Sequence, residues 1–161
     1  MPNDEARAFR NSLGLFATGV CVVTALTPEG EPIGLTINSF SSVSLNPPLI
    51  LWSLDRGSDT MPVFDAAASF TVNVLGDDAQ EMSQRLSRKG QHRLHDGEWT
   101  PGATGAPVLA AAIAHFDCVE TARYDGGDHV ILVGEVKAHA HKDGAHPLLY
   151  YRGRYRELAP A

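Results

Sequence analysis

Two long β-type runs, residues 113–122 and 130–140, are separated only by the short stretch around Tyr124-Asp125-Gly126-Gly127-Asp128. So short a link joins strands that run antiparallel, because a parallel pair needs a crossover of a dozen or more residues. The rest of the chain repeats the pattern. Residues 20–26 form a β-branched apolar run, and Pro28-Glu29-Gly30 turns it back into residues 33–37. Residues 49–54, 70–75 and 148–151 are further apolar runs, set off by turn signals at Asn46-Pro47-Pro48, Arg56-Gly57 and Asp143-Gly144. Roughly six or seven strands joined mainly by turns predict an antiparallel barrel with peripheral helices, not a doubly wound sheet.

Three helices are expected around it. Asn3 or Asp4 caps the first, whose apolar face is Ala6, Phe9, Leu13 and Phe16, and Gly14 and Gly19 help to end it. A short second helix begins near Ser58-Asp59-Thr60, with Pro62 in its first turn. Asp77 caps a third, whose apolar face is Ala79, Met82 and Leu86 and which Gly90 closes. Residues 91–107 lose all periodicity and read as a loop around Trp99, long enough to suggest a function. No repeat or linker divides residues 1–161, so a single domain is expected.

Composition narrows the function. The formal charge is −6 and the pI about 5.6, which argues against nucleic-acid and membrane-surface binding, both of which favour basic patches. No apolar run reaches the length of a membrane span, and the first ten residues lack the apolar stretch of a signal peptide. Cys21 and Cys118 stand in separate apolar runs outside any C-x-x-C, and are expected to be buried thiols. A soluble cytoplasmic protein is expected.

Residues 34–60 concentrate hydroxyl and amide side chains around one strand: Thr36, Asn38, Ser39, Ser41, Ser42, Ser53, Ser58 and Thr60, with Arg56 among them. Neutral hydroxyls and backbone N–H groups can bind a phosphorylated, polyhydroxylated ligand without burying an unpaired charge. The same residues also serve as turn and cap residues on a polar surface. A second constellation is Gly126-Gly127-Asp128-His129, where the glycines allow a tight turn or close approach of a ligand. His129 then opens a strand at a barrel rim, placed to donate a hydrogen bond or orient a ring. An ordinary hairpin turn with polar residues fits the motif too. His139, His141 and His146 lack carboxylate or cysteine partners at ligand spacing, so no metal site is assigned, and His92 and His95 read the same way. No G-x-S-x-G elbow supports serine nucleophile chemistry, and no G-x-G-x-x-G or P-loop supports the usual nucleotide devices. The terminal Tyr150-Tyr151-Arg152-Gly153-Arg154-Tyr155 reads as packing, either within the chain or between subunits.

In order along the chain, TGVCVVTA, GLTINSFSSVSLNPPLILWSLDRGSDT, FTVNVL, GAPVL, GGDHVILVGEV and PLLYYRGRYREL resemble the flavin reductase-like, FMN-binding split-barrel family. Its members include short-chain NAD(P)H:flavin oxidoreductases that serve two-component flavin monooxygenases. The resemblance implies an antiparallel Greek-key split β-barrel, mostly β with peripheral helices, usually a homodimer with FMN or FAD near the interface. It places Thr36, Asn38 and Ser39 along the isoalloxazine and ribityl. Ser53, Arg56, Ser58 and Thr60 lie toward the phosphate, where Ser87 and Arg88 join them. Gly127, Asp128 and His129 face the nicotinamide of NADH or NADPH, with His129 as the catalytic-site side chain. Hydride passes to flavin N5, and the reduced flavin goes to a separate oxygenase. Where relatives often carry an acidic-Lys-Phe step, this chain has His92-Arg93-Leu94. A non-catalytic flavin-binding barrel and a pyridoxamine-phosphate-oxidase-type flavoenzyme remain the alternatives.

Overall fold

The computed structural model describes residues 2–160. In chain order its elements are α1 (Pro2–Leu13), β1 (Thr18–Gly19), β2 (Cys21–Leu26), β3 (Pro32–Ile37), β4 (Ser41–Leu45) and β5 (Pro48–Asp55). There follow α2 (Met61–Ala66), β6 (Ser69–Leu75), α3 (Gln80–Leu86), β7 (Trp99–Pro101) and β8 (Pro107–Leu109). The chain ends with β9 (Ala112–Gly126), β10 (His129–His141), β11 (Leu149–Tyr151) and β12 (Arg154–Arg156). Seven strands make one antiparallel sheet in the order β3-β2-β6-β9-β10-β5-β4. Two small sheets, β1-β11-β12 and β7-β8, flank it.

The core shows how the sheet curls. Cys21, Val23 and Ala25 of β2 share one apolar cluster with Trp52 and Leu54 of β5, although three strands separate β2 from β5 in the sheet. Only a sheet rolled toward a barrel brings those faces together. Val22 points the other way, into a second cluster with Leu86 of α3, Leu94, Leu109 of β8 and Leu148. Both faces of β2 are therefore covered, which is why residues 20–26 read as a continuous apolar run and not as an alternation. Gly134 of β10 sits where the inner wall is tightest. A Cβ there would lie 2.7 Å from the Phe70 ring and 2.8 Å from Cys118. The mostly β, split-barrel architecture expected from the sequence is the one found.

Several local expectations change. The first helix starts at Pro2, so Asn3 and Asp4 lie inside its first turn, and Asp4 pairs with Arg7 at 3.2 Å instead of capping. Its apolar face is left largely open: Phe9 and Leu13 are exposed, and Phe16 beyond the helix is 79% exposed. Ala79, not Asp77, stands at the N-cap of α3, because the Asp77 N–H is committed to the His146 carbonyl at 2.9 Å. That helix ends at Leu86, and Gly90 serves the turn after it. Residues 91–107 are not patternless: Arg93 bridges to Ile33, His92 and Leu94 are buried, and β7 pairs with β8. The strand β4 was unforeseen, since its serines gave no apolar signal. The terminal arginines form β12, a hairpin with β11. Cys21 and Cys118 are buried free thiols, and burial pushes both up to about 12.

Candidate functional site

One cavity of about 630 Å³ opens where β3, β5, α3 and the β9–β10 turn meet. That volume falls in the range of roughly 300–1,000 Å³ usual for small-molecule sites. Leu35, Ile37 and Ile131 give it apolar surface, while Asn38, Ser53, Ser58 and Ser87 give it neutral hydrogen-bonding groups.

The serines and threonines divide their work between scaffold and cavity. The Thr36 hydroxyl donates to the Ser83 carbonyl at 2.7 Å, tying β3 to α3. The Ser39 hydroxyl accepts the Ser53 N–H at 3.0 Å and donates to the Ser53 carbonyl at 3.2 Å. A side chain thus pairs with β5 as a neighbouring strand would and holds Asn38 at the cavity wall. The Ser58 hydroxyl accepts the Thr60 N–H at 3.2 Å and bonds the Thr60 hydroxyl at 2.8 Å. Thr60 is buried behind Ser58 and does not line the cavity.

The β9–β10 turn is braced from β5. The Arg56 N–H donates to the Asp128 carbonyl at 2.9 Å, and the guanidinium donates to the Gly127 carbonyl at 3.1 Å and to Asp125 at 2.6 Å. Arg56 therefore faces away from the cavity, into a groove with Asp65 and Tyr124. Gly127 takes φ +77°, which the tight turn requires and which an L side chain adopts only with strain. Gly127 and Asp128 do not line the cavity themselves; His129 and Gly126 do. Asp128 instead aims the His129 ring, with Oδ1 2.6 Å from Nδ1. That contact holds the Asp128 carboxyl below its ordinary range. An ionised carboxylate only accepts, so Nδ1 carries the hydrogen and Nε2 is left for a ligand.

The positive charge lies elsewhere than expected. Lys89 lines the cavity and has no ion pair among the described residues. Arg88 turns outward to an adjoining groove. Asp59 anchors the segment carrying Lys89: it accepts the Gly90 N–H at 2.7 Å and lies 2.8 Å from His92 Nε2. His92 in turn lies 3.1 Å from the Gly34 carbonyl through Nδ1, and its own carbonyl accepts the Gly34 N–H. Burial would raise the Asp59 carboxyl, but the bonds from Gly90 and His92 outweigh it and hold the group below the usual carboxylate range. His139 and His141 lie toward the far end of β10 from the turn, and no metal-holding cluster of His, Cys, Asp or Glu occurs among the described residues.

The description "Flavin reductase like domain" matches residues 13–159. The chain belongs to the flavin reductase-like family. It is 47% identical over 152 residues to an FMN reductase (NADH), SmoA, from Agrobacterium fabrum, covering 94% of this chain and 86% of that one. It is 34% identical to the reductase subunit HsaB of a flavin-dependent monooxygenase from Rhodococcus jostii, covering 97% and 80%. The NADH:FAD oxidoreductase SgcE6 of Streptomyces globisporus, solved with NAD and FAD fragments, superimposes with a TM-score of 0.90 at 35% identity, covering 99% and 96%.

Within this flavin reductase-like chain, sequence reasoning passed over Asp59, Lys89 and His92 as site residues. Asp59 lies within Ser58-Asp59-Thr60, where the two flanking hydroxyls carry the stronger sequence signal. Lys89 precedes the glycine taken as a helix stop. Nothing local in Gln91-His92-Arg93 indicates that β3 recruits the segment as an edge partner. No helix among the described residues is long and apolar enough to cross a membrane.

Proposed function

We propose that the chain, acting as one domain over residues 1–161, reduces FMN or FAD with NADH as hydride donor and passes the reduced flavin to a separate oxygenase component. The observation that carries the reading is the cavity itself. Leu35, Ile37 and Ile131 offer apolar surface to a tricyclic ring, neutral donors accompany them, Lys89 stands at the α3 side without an ion pair among the described residues, and an oriented imidazole stands at the β9–β10 turn. The donor set suits a flavin: hydroxyls and an amide for the ribityl and ring edge, and one cation for a phosphate. The names of relatives support NADH as donor and an oxygenase as receiver.

A bound flavin supplies a ring that takes up hydride and later releases two electrons. The protein's task is then positioning. Leu35, Ile37 and Ile131 bury the ring and exclude water. Asn38, held by the Ser39–Ser53 cross-link, meets its polar edge. Lys89 and Ser87, anchored through Asp59 and His92, hold the phosphate. His129, aimed by Asp128, orients the nicotinamide amide through Nε2. No side chain needs to act as acid or base.

The chain works as a homodimer. The exposed α1 face and Leu45, 96% exposed, offer the apolar area. Asn38 lines both the cavity and a groove under the end of α1, so a partner seated there would flank the site. Free Cys21 and Cys118 suit the reducing cytoplasm as its location. The test is air-free mixing of catalytic amounts of protein with NADH and excess FMN, then FAD. Multiple turnovers of the flavin band support the reading. Stoichiometric binding without turnover by NADH or NADPH refutes it in favour of a flavin-binding module.

A further inference from the structure

His92 is the one histidine among the described residues whose two ring nitrogens both meet protein acceptors. Nδ1 lies 3.1 Å from the Gly34 carbonyl of β3, and Nε2 lies 2.8 Å from Asp59 Oδ1. His95 and His129 each engage Nδ1 alone, and His141 engages Nε2 alone. A carbonyl can only accept a hydrogen bond, and so can an ionised carboxylate. Burial would raise the Asp59 carboxyl, but the Gly90 N–H and His92 hold it below the usual range, so it is ionised. A neutral imidazole carries one N–H. One of the two contacts would then set lone pair against lone pair at a buried ring, which is costly. The imidazolium, with a hydrogen on each nitrogen, satisfies both.

The backbone fixes the ring in place. The Gly34 N–H donates to the His92 carbonyl at 2.8 Å and the Leu94 N–H to the Pro32 carbonyl at 3.0 Å, so residues 92–94 run along β3. Asp59 reaches from His92 to the Gly90 N–H, 2.7 Å away, and Lys89 is the next residue. Few charges surround the ring. β3 carries no titratable side chain, the segment before α2 brings Asp59, and the segment after α3 brings Lys89. Asp55 of β5 and His129 of β10 line the same cavity, and the exposed Arg93 pairs with Glu31 at 4.0 Å. Lys89 opposes a second cation, and Asp59 offsets it. We infer that His92 works as an imidazolium that positions Lys89, so that affinity for a flavin phosphate falls as rising pH removes its extra proton. The inference rests on the flavin reading of the cavity, with the phosphate at Lys89. Loss of the proton leaves Asp59 or Gly34 facing a bare nitrogen. The Asp59 contact loosens, and with it the Gly90 turn that aims Lys89. Riboflavin, which has no phosphate, is indifferent to the change. Linkage is reciprocal, so bound FMN holds the proton on His92.

The test is titration of the protein with FMN and with riboflavin between about pH 7 and about pH 9, above the second phosphate titration and below the lysine range. Affinity for FMN relative to riboflavin falls roughly three- to tenfold across that window, as expected when one charge-assisted contact loosens. In His92→Gln the ratio is low at neutrality and flat with pH. Long-range proton–nitrogen NMR of flavin-free wild type near neutrality finds a hydrogen on both ring nitrogens of His92, a readout that needs neither variant nor turnover. A bare ring nitrogen near neutrality, a wild-type ratio that ignores pH, or a His92→Gln variant that keeps the wild-type slope overturns the inference. If neither flavin binds at any pH, the flavin reading of the cavity fails and takes this inference with it. Normal FMN turnover with a flat ratio removes the pH coupling alone.

Discussion

Replacing Asp59 by alanine tests how the cation side of the cavity is held. Two contacts go: the one with His92, 9% exposed at its side chain, and the one from the Gly90 N–H, which water replaces. A hydrogen bond to a charged group contributes about 1.5–3 kcal/mol, and with Gly90 rehydrated the expected loss is about 2 kcal/mol. For a domain of this size that lowers Tm by roughly 4–8 °C, measurable by calorimetry. The pH dependence carries the diagnosis. The Asp59 carboxyl is held below its unfolded value, so its contribution is fully present above the unfolded carboxylate range. It is lost as pH falls through the lower, folded value. The gap between wild type and D59A is therefore widest near neutrality and closes below about pH 4. D59N shows no such acid loss of its own, because an amide does not titrate. Flavin KM rises in both variants, since Lys89 and Ser87 ride on the freed segment. A gap that persists undiminished in acid, or a neutral Tm equal to wild type with unchanged flavin KM, would refute the anchoring role.

Three further outcomes follow from the geometry. His129→Ala raises NADH KM roughly two- to tenfold, the value of one positioning hydrogen bond, and leaves flavin affinity nearly unchanged; equal loss of both in stopped-flow reduction and flavin titration contradicts the nicotinamide assignment. Lys89→Ala weakens FMN binding but not riboflavin binding, and the difference shrinks as salt is raised; a matching loss for riboflavin excludes a phosphate contact. Gly134→Ala costs about 1–3 kcal/mol by overpacking, because its Cβ would lie 2.7 Å from the Phe70 ring; urea unfolding with an unchanged midpoint would show that the wall yields.

The strand framework was legible because it depends on local signals. β2, β5, β6, β9 and β10 bury one or both faces, so their apolar residues declare them, and Gly127 marks the turn that fixes β9 against β10. The strand β4 escaped because its exposed serines carry no burial signal, and pairing with β5 alone makes it a strand. Site residues divide along the same line. Ser53, Asn38 and His129 were found from composition and family order, and they reach the cavity. Arg56 was assigned to the phosphate by its charge, but the turn carbonyls of Gly127 and Asp128 and the Asp125 carboxylate claim it. Nothing in the linear sequence announces such competition between partners 69 and 71 residues away. His92 shows the converse: its contact with Asp59 spans 33 residues and exists only once β3 has gained an extra edge partner.

The central claim is that a flavin seated against Ile131 and Ser53 takes hydride from NADH in this cavity. Anaerobic rapid mixing of flavin-loaded protein with NADH, in wild type and Ile131→Trp, tests it directly. Wild type bleaches the flavin band in a single fast phase. The tryptophan variant, folded by circular dichroism but with the cavity filled, neither retains flavin nor bleaches it above the protein-free rate. Bleaching by Ile131→Trp at the wild-type rate would place the reaction elsewhere and contradict the account.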